Sequence, residues 1–123
     1  MEFPKSNYRA RCIKVVDGDT LDLEVDIGFH LREIGRFRVL GIDTAELHDK
    51  DPAKRALAVK AKETVTELMK TPVGVEWPLL VSTEKDPDNF GRWLISVQFE
   101  QNSLLVDLGQ TLIGMGLAVP YVK

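Results

Sequence analysis

The chain of 123 residues holds one cysteine, so an internal disulfide is excluded. Cys12 lies in the apolar-leaning run from Ala10 to Val16 and is expected to be a buried, inert strand residue. No apolar stretch approaches the roughly 18 residues of a membrane span, so no membrane partner is expected. Met1 to Ser6 lacks the apolar segment of a secretion signal, which predicts a cytoplasmic location, or a secreted one for a chain from which a leader has been removed. The only histidines, His30 and His48, have no second histidine or cysteine at ligand spacing, which argues against zinc. There is no internal repeat and no low-complexity tract. A basic excess is missing as well. Sixteen Lys and Arg face nineteen Asp and Glu, for a net charge of −3. That balance argues against a passive phosphate-binding surface and suits carboxylates gathered to hold a cation.

What remains is ordinary soluble-protein composition, 44% apolar and 28% charged, in a length that suits a single domain over residues 1–123. The first half reads as strands. Tyr8 to Val16 is β-rich, and Asp17-Gly18-Asp19 supplies a turn. Leu21, Leu23, Val25 and Ile27 then alternate with Asp22, Glu24 and Asp26, the pattern of a strand with one wet face. Gly28 to Gly35 reads as a wide connection, and Arg36 to Ile42 as a third strand. A helix follows, capped by Asp51 with Pro52 in its first turn and carrying Leu57, Ala61, Val65 and Leu68 at helical spacing. Thr71-Pro72 ends it. Val73 to Trp77 and Leu79 to Thr83 read as extended, Glu84 to Asn89 as a polar loop, Trp93 to Phe99 as a strand and Gln101-Asn102 as a turn. Asp107 and Gln110 have capping-box spacing ahead of a short helix that Gly116 can close. Trp77 and Trp93 are expected in the core, because each lies in a β pattern. Lys54, Arg55, Lys60 and Lys62 read as a solvated helical face. This order predicts an α+β fold: a five-stranded Greek-key β-barrel of the oligonucleotide/oligosaccharide-binding (OB) type, with a helix between strands 3 and 4 and a short C-terminal helix.

Three short segments carry the chemistry. Val16-Asp17-Gly18-Asp19-Thr20-Leu21 and Arg38 to Glu46 each place carboxylates where a strand meets a turn. Carboxylates at such ends can converge from separate strands, and hard divalent cations take oxygen ligands. An EF-hand is excluded, because the spacing from Asp17 puts Leu21 at a ligand position. The third segment, Asp88 to Trp93, opens the late strand with Arg92 directly after Gly91. Taken singly, each segment reads as a turn with solvated side chains.

Together, in this order, the three segments resemble the staphylococcal nuclease (thermonuclease) family, over about Tyr8 to Tyr121. Asp17-Gly18-Asp19-Thr20 resembles the family's Asp-Gly-Asp-Thr turn. Arg38 through Asp43-Thr44-Ala45-Glu46 resembles its Arg-x-x-x-x-Asp-Thr-Pro-Glu segment, and Phe90-Gly91-Arg92 its Tyr-Gly-Arg. Gly116-Leu117-Ala118 followed by Pro120-Tyr121 resembles the end of its core. The departures are Ala45 for proline, Phe90 for tyrosine, a longer Gly28–Gly35 connection, and one tyrosine, Tyr121, where the family often shows two.

The resemblance implies a calcium-dependent nuclease acting on DNA and RNA and leaving 3′-phosphate ends. Asp19, Asp43 and the Thr44 carbonyl would ligate calcium. Glu46 would serve the attacking water as general base or water-orienting group, and Arg38 and Arg92 would bind the reacting phosphate. The residue types suit the task. A divalent cation and permanently charged guanidinium groups offset the phosphate charge that a nucleophile must approach, and a carboxylate can accept the water's proton. The rival from another class is a catalytically inactive module of the same kind that binds nucleic acid or protein. Such a module is expected to lack site carboxylates or arginines, and here all five are present. An unrelated oligosaccharide- or peptide-binding barrel leaves the arginine–carboxylate set unexplained.

Overall fold

A computed structural model of the chain describes residues 7–85 and 93–121. Strand β1 (Asn7–Asp17), β2 (Thr20–Gly28) and β3 (Leu31–Val39) form an antiparallel meander. β4 (Ile42–Asp43) follows, then helix α1 (Pro52–Leu68), β5 (Leu79–Lys85), β6 (Trp93–Gln101), β7 (Leu104–Asp107), helix α2 (Leu108–Gly114) and β8 (Val119–Pro120). β5 pairs antiparallel with both β1 and β6, and β6 pairs parallel with β3. These pairings close β1, β2, β3, β6 and β5 into a mixed five-stranded barrel. β7 extends the sheet beyond β6, and β4 pairs separately with β8.

Alternation explains the core. Leu21, Leu23 and Val25 of β2, Phe37 and Val39 of β3, and Ile95, Val97 and Phe99 of β6 all point inward and are buried. α1 adds a narrow stripe. Ala58, Ala61, Val65 and Met69 are buried at spacings of three and four residues, whereas Leu57, expected inward, is 40% exposed. Small side chains at 58 and 61 let the helix lie close to the barrel. The Asp51 carboxylate accepts a hydrogen bond from the Ala53 N–H (2.9 Å), and Asp107 accepts one from the Gln110 N–H (2.9 Å), so both expected N-caps are present. Cys12 is half-buried in β1, and burial pushes its thiol up to about 11, as expected of an inert residue. No helix among the described residues is long and apolar enough to cross a membrane.

Four local expectations are corrected. The Gly28–Gly35 connection is a two-residue turn at Phe29 and His30, with φ of 55° and 62°, and pairing with β2 resumes at Leu31. Arg32 and Arg36 of β3, facing Glu24 and Asp22 of β2, hold this segment in the sheet at 3.1 and 2.8 Å. The third strand ends at Val39 rather than Ile42. Gly41 turns the chain with φ of 80°, so that Ile42 and Asp43 pair with Val119 and Pro120. Val73 to Trp77 is no strand: the Val75 N–H donates to the Pro72 carbonyl (3.1 Å) across a turn at Val73-Gly74. The late hairpin turns at Asn102-Ser103 and adds β7 before α2.

Neither tryptophan is in the core. Trp93 is 43% exposed, and Trp77 is half-buried with the guanidinium groups of Arg11 and Arg32 at 5.3 and 5.4 Å from its ring centre. His30 and His48 are exposed. Glu84 and Lys85 belong to β5, and the rest of the expected Glu84–Asn89 loop lies outside the described residues.

Candidate functional site

The turn between β1 and β2 is wedged between α1 and the segment after β4. A Cβ at Gly18 would stand 3.0 Å from Ala61 Cβ and 3.0 Å from both Thr44 Cγ2 and Oγ1. The glycine thus permits the close approach that carries Asp19 under Thr44. Asp19 is 6% exposed. Its carboxylate accepts hydrogen bonds from the Thr20 hydroxyl (3.1 Å, Oδ1) and the Thr44 N–H (3.3 Å, Oδ2). Its main chain is fixed by the Val39 N–H donating to the Asp19 carbonyl (2.8 Å) and by its own N–H donating to Asp17 Oδ1 (3.2 Å).

Arg38 stands opposite Thr20 on β3. Its guanidinium spans two carboxylates, with Nη1 3.6 Å from Asp19 Oδ2 and Nη2 3.6 Å from Asp43 Oδ1. Nη2 also donates to the Ile42 carbonyl (3.3 Å), and the group lies over the Tyr121 ring at 5.4 Å from its centre. Tyr121 is held there by its N–H, which donates to the Gly41 carbonyl (2.9 Å). The side chain of Asp43 is half exposed, and Thr44 is buried.

The electrostatics are unbalanced. Burial, and then the carboxylate of Asp17 beside it, push the Asp19 carboxyl above its ordinary value. Arg38 and the Thr44 N–H pull the other way without cancelling the rise. At 3.6 Å both carboxylates are charge contacts of Arg38 rather than hydrogen-bond partners, and its side chain is 20% exposed.

The structure therefore brings together four of the six residues singled out by sequence: Asp19, Arg38, Asp43 and Thr44. Glu46 is near them in sequence but exposed, and among the described residues its side chain makes no hydrogen bond or ion pair. Arg92, with Phe90 and Gly91, lies outside the described residues. Sequence reasoning missed two participants. Asp17 presses its charge on Asp19, and the Asp-Gly-Asp spelling already placed two carboxylates on one turn. Tyr121 beneath Arg38 arises from the β4–β8 pairing, for which no local signal exists. Among the described residues, no three His, Cys, Asp or Glu side chains form a cage for a metal ion.

No family model matches the chain. It is similar to an uncharacterized protein of Methanocaldococcus jannaschii, with 27% identity over 136 residues, covering 95% of this chain and 61% of that protein. The chain thus spans about three-fifths of the length of this relative.

Proposed function

We propose that the chain is a calcium-dependent phosphodiesterase of the staphylococcal nuclease type, acting on DNA and RNA. Counted over β1, β2, β3, β5 and β6, the barrel is read as an OB-type Greek key with α1 between its third and fourth strands and α2 as the short C-terminal helix. The observation that carries the functional reading is the guanidinium of Arg38 suspended at 3.6 Å between Asp19 and Asp43, two carboxylates from separate elements.

The donor chemistry fits a hard cation. Asp19 and Asp43 offer carboxylate oxygens, Thr44 a main-chain carbonyl between Asp43 and Ala45, and the buried Asp19 carries charge that its neighbours do not fully compensate. Two carboxylates and a carbonyl, completed by water, suit calcium's loose shell better than magnesium's tight octahedron. When bound, the ion supplies Lewis-acid neutralisation of the phosphate charge. Arg38 grips a phosphate oxygen, more strongly as charge builds in the transition state, and by resemblance Arg92 adds a second guanidinium. Glu46 is free to take the proton of a water that attacks phosphorus in line. The bond to the 5′ oxygen breaks, the leaving oxygen takes a proton from solvent to become a hydroxyl, and the phosphate stays on the 3′ side.

Degradation of a supercoiled plasmid tests this directly. Cleavage is expected with calcium, little with magnesium alone, and none in excess chelator. Equal rates with both ions contradict the calcium assignment. Binding without cleavage under every condition points to the inactive module instead.

A further inference from the structure

Barrel closure gives β1, β2, β5 and β6 a neighbour on both sides. β7 is different. It lies against the second half of β6, and among the described residues no strand pairs with its other side. Proteins usually blunt such an edge with lysine, proline or a bulge. β7 reads Leu104-Leu105-Val106-Asp107 in continuous register with β6 and carries none of these. Leu104 and Leu105 are 69% and 60% exposed, one on each face of the strand.

The hairpin turn fixes which main-chain groups face outward. Asn102 and Ser103, with φ of 53° and 67°, form a two-residue turn that closes on Gln101 and Leu104 as a hydrogen-bonded pair. Bonded and non-bonded pairs alternate along an antiparallel ladder. Glu100 and Leu105 are therefore a non-bonded pair, and the N–H and C=O of Leu105 point away from β6. Neither group has a partner among the described residues.

The same edge, turned about a two-fold axis, fits this one. With two copies of β7 antiparallel and Leu105 opposite Leu105, each Leu105 N–H donates to the Leu105 C=O of the other copy. The two leucines meet on one face, and Leu104 of each copy meets Val106 of the other on the opposite face. Asp107, the only charge of the strand, comes opposite Ser103 of the other copy, so no like charges face each other. Asp107 Oδ2 caps α2, which leaves Oδ1 to accept the serine hydroxyl. A foreign strand would need this same pattern, which the chain supplies by itself. A four-residue strand buries less than the roughly 1,200 Å² of a standard interface, so association is weak and concentration-dependent.

We propose that the open edge of β7 is a self-association surface, through which two copies of the chain join their sheets across a two-fold axis. The surface contains no residue of the Arg38 cluster and does not depend on the reading of that site.

Sedimentation equilibrium of the full chain should show the mean mass rising from monomer toward dimer between about 10 µM and about 1 mM. Leu105→Pro removes an N–H that β6 does not use, so the hairpin is retained, with thermal melts as the folding control. It should weaken association by about ten-fold or more. Cysteine crosslinking locates the axis and decides the matter if Leu105→Pro proves unstable. Opposed residues of a bonded pair have Cα atoms about 5.5 Å apart, within disulfide range. Leu105→Cys should therefore give a covalent dimer under mild oxidation. Glu100→Cys, on the same face but one strand further from the axis in each copy, should not. The wild type, whose Cys12 thiol is held unreactive by burial, is the background. A monomer at every concentration, a dimer unchanged in folded Leu105→Pro, or equal crosslinking of Glu100→Cys and Leu105→Cys overturns the proposal.

Discussion

Among the described residues, arginine meets carboxylate in two regions of this barrel, on opposite terms. On the outer face of β1, β2 and β3 the partners are close and paired. Arg9 meets Asp26 at 2.7 Å, Arg11 and Arg32 share Glu24 at 2.7 and 3.1 Å, and Arg36 meets Asp22 at 2.8 Å. In the Arg38 cluster one guanidinium serves two carboxylates at 3.6 Å, and a third, Asp17, presses from the side. The carboxyl groups respond in opposite directions. Hydrogen bonds from Arg36 hold Asp22 low, those from Arg11 and then Arg32 hold Glu24 low, and the Gly28 N–H and then Arg9 hold Asp26 low. Asp19 is raised. Matched pairs on the outer face secure strand register. The Arg38 cluster is left with more carboxylate than guanidinium charge, which under the proposed function a cation would balance.

The largest effect expected concerns Glu46. Its carboxylate is unengaged among the described residues, so replacing it should leave the fold intact. Glu46→Gln is expected to lower calcium-dependent kcat by about 10²–10⁴-fold. Near-wild-type turnover in a folded variant removes Glu46 from the mechanism.

Next comes Asp19→Asn, which separates activity from stability. The amide can still accept one of the two hydrogen bonds while removing the strained charge. Activity should fall, by less than in Glu46→Gln, whereas Tm in chelator should rise. An equivalent change on the outer face, Glu24→Gln, should lower Tm, because it strands Arg11 and Arg32 without their shared partner. Melting curves of both variants decide whether the two regions differ in the sense described.

How far each region was legible in sequence follows from the range of its interactions. Asp51 and Asp107 were readable as caps because capping joins residues two or three apart. The Phe29-His30 turn was not, because it lacks the Asn-Gly or Gly spelling of a two-residue hairpin, and because exposed Leu31 with Glu33 and Gly35 interrupts the apolar alternation of that face. Leu104 and Leu105 of β7 are exposed, so that strand left no buried pattern to read. Asp19, Arg38, Asp43 and Thr44 were readable as motif letters, but their convergence depends on Gly18 admitting Thr44 and Ala61. The like-charge contact from Asp17 and the Tyr121 ring beneath Arg38 needed coordinates.

The smallest effect is in pH dependence, and it carries opposite signs in the two regions. Asp22, Glu24 and Asp26 have native values below those of the unfolded chain. Their stabilisation is therefore present above about pH 4 and is lost as pH falls through the native values. Asp19 has a native value above that of the unfolded chain, so its contribution is present at low pH and lost as pH rises through the native value. Urea midpoints measured from pH 7 down to pH 3 should fall steeply for the wild type and less steeply for Glu24→Gln. Without the charge of Asp19, the acid-side loss should steepen in Asp19→Asn.

The most direct test of the central claim sets one arginine from each region side by side. Lysine keeps the charge and loses the planar fork. With calcium present, Arg38→Lys should reduce kcat on DNA by about 10²-fold or more, as expected for a donor to a transition-state phosphate. Arg9→Lys, on the outer face, should stay within about two-fold of wild type, because an exposed ion pair contributes little. Equal effects of the two substitutions, or full activity in Arg38→Lys, would contradict the account, because the Arg38 cluster would then be one more structural ion pair and not a phosphate site.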